Sequence, residues 1–89
     1  MKLRQQPAGN KNIIGAKVVA LRSARGIKQK EFLAHLQVLG MNISATGLSR
    51  LEGQYRLVQD YEVVTISQAL NITVGDLLTK PINELLQHK

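Results

Sequence analysis

The sequence predicts an all-α fold, a compact domain of five short helices. Two observations carry this. Large apolar residues recur at spacings of three and four along separate segments, the period that gathers side chains on one side of a helix. Most of those segments are bounded by residues that start or stop helices, with Asn, Ser, Asp or Thr before them and Gly, Asn or Pro after them. The length of 89 residues sets the scale: one domain with four or five helices around a core, too small for a substrate cleft between domains.

Residues 1–11 carry Pro7, Gly9 and polar side chains without periodicity, and read as a flexible basic arm ahead of the fold. The first helix opens on Asn12 as its cap and runs to about Arg25, because Ile14, Val18 and Leu21 repeat at four and three and Gly26 supplies a left-handed stop. Lys17 and Arg25 fall on its other face, while Arg22, next to Leu21, is expected to be partly buried. The second helix runs from Lys28 on the stripe Phe32, Leu36 and Leu39, with Gly40 as its stop. G-M-N-I then turns the chain, with Met41 and Ile43 reaching into the core.

Ser44 caps a third helix, Ala45 to Glu52, with Leu48 and Leu51 inward and Gly53 at its end. Gly47 inside it costs roughly 1 kcal/mol relative to Ala, which predicts a close approach to the second helix or to a ligand. The loop Q-Y-R-L-V-Q follows and exposes Tyr55 and Arg56. Asp60 caps a fourth helix with Val63, Ile66 and Leu70 on one side and Asn71 as its stop. Thr73 opens the fifth, with Asp76 at capping-box spacing, Val74, Leu77 and Leu78 facing in, and Pro81 ending it. Residues 12–80 are thus the domain. In the tail, 81–89, Ile82, Leu85 and Leu86 share one helical side without an evident place in the core. Together with Val74 and Leu78 they are expected to contribute to a homodimer interface; the alternative is that the tail folds back onto its own domain.

Composition narrows the function. Without Cys there is neither a disulfide framework nor a thiolate metal site, and His35 and His88 have no neighbouring ligands, so neither metal nor cofactor is expected. The longest apolar run, Ile13 to Leu21, is short and contains Lys17, and the first ten residues lack the apolar stretch of a signal peptide. A cytoplasmic protein without membrane contact is expected. Charge is unevenly spread. Up to Val58 ten Lys and Arg face two Glu, a net +8, whereas the remainder has two Lys against four acids, a net −2. A cationic end draws polyanions, of which nucleic acid is the commonest in a cell; a solvated charged face is the alternative.

The third helix gives that field a shape. With Leu48 and Leu51 inward, Ala45, Thr46, Ser49 and Arg50 face outward, small and polar near the helix start with one planar cation a turn later, a form that can enter a DNA major groove. Gln29 lies in the first turn of the second helix, where free N–H groups and the helix dipole favour a phosphate, and Lys17 and Lys28 join it as phosphate-contact candidates.

These segments resemble the phage-repressor and Cro type (XRE-like) of helix-turn-helix DNA-binding domain. The resemblance covers about Ile13 to Leu78. It rests on I-G-A-K-V-V-A-L-R, R-G-I-K-Q-K-E-F-L-A, I-S-A-T-G-L-S-R-L-E-G and Y-E-V-V-T-I-S-Q-A-L-N-I-T-V-G-D-L-L in that order. It implies a repressor-like fold in which Ser44, Ala45, Thr46 and Arg50 face the groove. Gln29 would lie near backbone phosphates, Tyr55 and Arg56 would grip phosphate from the loop, and Arg22 and Glu52 would form a buried ion pair joining the first helix to the third. Three departures stand out. The turn through Q-V-L-G-M-N-I is longer than usual by about five residues, as in a subgroup of small regulators. Leu33 replaces a usual Ala, which requires a shifted third helix. Ala45 and Thr46 replace long polar residues, so readout there is expected to be weak or to use a thymine methyl.

The function expected is a sequence-specific double-stranded DNA-binding transcriptional regulator, a repressor acting as a homodimer on a two-fold symmetric operator. The alternative is a protein-interaction module on the same fold, antitoxin-like or anchoring a complex, with DNA binding secondary or lost. The feature that discriminates them is whether Gln29, Arg50 and Arg56 share one cationic surface. An enzyme acting on a small-molecule substrate is not expected: there is no Cys nucleophile, clustered carboxylate pair or Gly-rich phosphate loop, and Ser23, Ser44, Ser49 and Ser67 serve as caps and small packing residues.

Overall fold

The computed structural model describes residues 9–87, so most of the basic arm, with Lys2 and Arg4, and His88 lie outside the described residues. Six helices follow one another: α1 (Gly15–Ala24), α2 (Gln29–Val38), α3 (Ala45–Glu52), α4 (Asp60–Leu70), α5 (Val74–Thr79) and α6 (Ile82–Leu86). Their starts are chemically specified. Asn12 Oδ1 accepts from the N–H groups of Ile14 and Gly15 at 3.1 and 2.8 Å, ahead of α1. Ser44 Oγ accepts from Gly47 N and Thr73 Oγ1 from Asp76 N, both at 3.0 Å. At α2 and α4 the reach is reversed, with Glu31 accepting from Lys28 N at 3.1 Å and Glu62 from Gln59 N at 2.9 Å. The cap of α4 is therefore Gln59, one residue before the expected Asp60. Gly26 and Asn71 take left-handed backbone, φ +69° and 56°, behind α1 and α4.

The apolar stripes meet in one core, with Val18, Phe32, Leu36, Leu48, Leu51 and Ile66 essentially without exposed surface. Met41 and Ile43 plug it from the six-residue connection Leu39–Ser44 that joins α2 to α3, each 6% exposed. Leu33 is half-buried and packs against this core. Helices α1 and α3 approach closely: a Cβ placed on Gly15 would stand 2.3 Å from the Leu51 carbonyl oxygen. Gly47, by contrast, faces Ile43 and Ser44 of its own connection, at 3.2 and 3.3 Å from such a Cβ, rather than α2.

The tail departs most from expectation. It forms a sixth helix instead of ending the domain, and α6 packs chiefly on α1. Leu85, expected at the interface, is 2% exposed and belongs to the main core of its own chain. The reason is geometric: Pro81 ends α5 in extended backbone and restarts the chain, which swings α6 back across α1. Val74 and Ile82 are half-buried, and Leu78, expected inward, is 36% exposed, as is Leu86 at 45%. The expected stripe is thus divided between core and surface.

Candidate nucleic-acid interface

Ser44, Ala45, Thr46, Ser49 and Arg50 are all exposed, on the side of α3 opposite the buried Leu48 and Leu51. What holds this face is behind it. Glu52, in the last turn of α3 and 6% exposed, accepts from Arg22 Nε at 2.9 Å and Nη2 at 3.0 Å, a two-pronged pair that ties α1 to α3. Arg22 Nη1 also donates to the Ile27 carbonyl at 3.0 Å, fixing the turn before α2.

Gln29 completes the joint. Its Nε2 donates to Glu52 Oε1 at 2.9 Å and its Oε1 accepts from Ser49 Oγ at 3.4 Å, so the side chain expected at a phosphate is turned between α2 and α3. The acidic partner explains the turn: an uncommitted carboxylate lone pair near a half-buried amide is a stronger attractor than solvent. Lys28 and Lys30 flank Gln29 in sequence and are exposed.

Two other expected phosphate contacts are also engaged inside the molecule. Arg56 forms a two-pronged pair with buried Glu62, Nη1 to Oε1 at 3.2 Å and Nη2 to Oε2 at 3.1 Å. It secures the loop to the start of α4. Burial works to raise the Glu62 carboxyl. The hydrogen bonds from Arg56 and from Gln59 N–H, with the Arg56 charge, outweigh it and leave the group below its ordinary value. Lys17 Nζ donates to the carbonyls of Leu77 and Leu78 at 3.0 and 3.3 Å, closing the C-terminal end of α5. Arg50 is only lightly held, by a 3.4 Å contact from Nη2 to the Tyr55 carbonyl. Among the described residues, Lys11, Lys28, Lys30 and Arg50 are exposed cations around α2, α3 and the following loop.

The loop is firmly built. Asn12 Nδ2 donates to the carbonyls of Leu51 and Arg56 at 3.1 and 2.9 Å, and Gln54 Nε2 returns a bond to the Asn12 carbonyl at 2.8 Å. Gly9 N and Lys11 N donate to the Gly53 and Gln54 carbonyls, so the chain is already tied down at Gly9, within the stretch expected to be free. The Tyr55 ring lies over Gly9 and Gly53, where any Cβ would meet it at 2.7 to 2.8 Å, and the residue is 44% exposed.

Sequence reading missed a second surface feature. Ile13, Ile14, Leu57, Val58, Val63 and Leu78 line an open apolar cleft of about 220 Å³, with Ile13 and Leu57 exposed by 66% and 70%. The signal was present in the doublets Ile13–Ile14 and Leu57–Val58, two pairs of large apolar residues outside the helices. No helix among the described residues is long and apolar enough to cross a membrane, and none of their His, Asp and Glu form a group of three that could hold a metal ion. Comparison of the chain with family models, with characterised proteins and with solved structures finds no match.

Proposed function

We propose that this chain is a sequence-specific double-stranded DNA-binding regulator of the phage-repressor and Cro type, in which α2 and α3 act as a helix-turn-helix. It represses transcription as a homodimer on a two-fold symmetric site. The observation that carries the reading is the outer face of α3: small, polar, exposed and ending in Arg50, while the helix is anchored from behind by Glu52. Ser44, Ala45, Thr46, Ser49 and Arg50 meet base edges, and Lys28 and Lys30 meet the adjoining backbone. Exposed apolar surface at Ile13, Leu57 and Leu78, beside the loop that follows α3, supports the dimer.

One observation favours the second reading, a protein-interaction module: Arg56 and Lys17 are spent on internal carboxylate and carbonyl groups and Gln29 is turned inward, so Gln29 and Arg56 are already engaged within the molecule and do not add to Arg50. Selection of bound sites from random duplex DNA tests the two. A two-fold symmetric consensus supports the regulator; binding without sequence preference, or none, transfers the assignment to the interaction module.

A further inference from the structure

A surface serine on a groove-facing helix is ordinarily ambivalent, because its hydroxyl has one hydrogen to donate and lone pairs to accept with, and it rotates to suit either partner. Ser49 has a neighbour that favours one of these two roles. The Glu52 carboxylate can only accept; it already takes Nε and Nη2 of Arg22, and takes the Gln29 amide as a third donor at 2.9 Å. Gln29 must therefore present its NH₂ to Glu52, since the flipped amide would set oxygen against carboxylate oxygen. That leaves Gln29 Oε1 facing Ser49, 3.4 Å from Oγ, where it can only accept. A Ser49 hydroxyl that donates along this chain of bonds turns its hydrogen inward and leaves its lone pairs on the exposed side of Oγ.

We infer that Ser49 is a specificity-determining residue that accepts a hydrogen bond from an exocyclic amino group in the major groove, adenine N6 or cytosine N4. Gln29 is the positioning residue that imposes this polarity. The inference rests on the DNA-binding reading proposed above. Thymine and guanine present only O4, or O6 and N7, at the same edge; these are acceptors that would meet Ser49 lone pairs. The base contacted by Ser49 is then adenine or cytosine, with little choice between the two. The core ion pair thus acts at the surface through two intervening bonds, and a change at Gln29 alters base choice without touching DNA.

The experiment compares consensus sites selected from random duplex DNA by the parent chain, Ser49→Ala, Gln29→Leu and Gln29→Met, each checked for helical content. The parent should show one position per half-site restricted to adenine or cytosine, by about 5-fold, the scale of one uncharged hydrogen bond. Ser49→Ala should lose the restriction there alone, and both Gln29 variants should admit guanine and thymine at that position while keeping the rest of the consensus. As a second readout, a parent duplex whose base lacks the amino group, purine for adenine or pyrimidinone for cytosine, should lose the same factor and Ser49→Ala should lose nothing further. A Ser49-dependent position occupied by guanine or thymine overturns the inference, as does an unchanged consensus in Ser49→Ala or in both Gln29 variants. Those results would leave DNA recognition standing, whereas the absence of any consensus in the parent overturns the DNA-binding reading and this inference with it.

Discussion

Glu52→Ala isolates the joint on which the placement of α3 depends. The carboxylate is 6% exposed and accepts three bonds, two from Arg22 and one from Gln29. Truncation leaves the guanidinium without its counter-charge, and removing one partner of a buried pair costs about 3 to 5 kcal/mol. Arg22 keeps its bond to the Ile27 carbonyl and its side chain is 14% exposed, which places the expected loss near the lower end, about 3 kcal/mol. For a domain of this size that corresponds to a fall in melting temperature of roughly 12 to 24 °C. Urea melts at constant pH measure it. The double variant Arg22→Met with Glu52→Leu supplies the control: with both charges gone it should be more stable than Glu52→Ala alone. A Glu52→Ala midpoint within about 0.5 kcal/mol of the parent, the scale of an ordinary surface change, would refute the role given to this pair.

Further consequences follow from the other placements. Glu62 titrates below its ordinary 4.5, and a depressed carboxyl contributes stability that is present above the unfolded value and lost as pH falls through the folded one. Arg56→Ala should therefore lower stability at neutral pH and flatten the acid limb of a stability profile taken from about pH 5 to pH 3; a limb parallel to the parent's would show that Arg56 does not hold Glu62. Leu85→Ala should cost about 2 to 5 kcal/mol by opening a cavity in the core, and a near-neutral result in calorimetry would mean that α6 does not seal it. If the homodimer uses the cleft around Ile13 and Leu57, Leu57→Lys should give monomers in sedimentation while Leu86→Lys remains dimeric; the reverse pattern would return the interface to the tail. On a preferred duplex Arg50→Ala should cost about 1 to 3 kcal/mol and relax one base pair per half-site, and an equal loss on scrambled DNA would reduce Arg50 to a phosphate contact.

Five of the six helices were legible in the linear sequence, because a helix is a local object. The spacing of Ile14, Val18 and Leu21, the cap at Ser44, and the stops at Gly26 and Asn71 act within a few residues, and the structure follows them to within about three positions. The outward set on α3 was legible for the same reason, since Leu48 and Leu51 fix which side faces in. What side chains do across the fold was not. Lys17, Gln29 and Arg56 read as cationic or polar surface, and each instead found a carbonyl or carboxylate brought to it from 6 to 61 residues away. Leu85 read as surplus apolar surface because periodicity reports a stripe but not the vacancy that receives it. The sequence by itself determined where helices begin, which face of each is apolar, and where positive charge accumulates, all set by short-range sterics, capping and composition. Only the tertiary structure decided which charges remain available to a partner, because a long side chain is claimed by whichever buried acceptor the packing of distant segments places within reach.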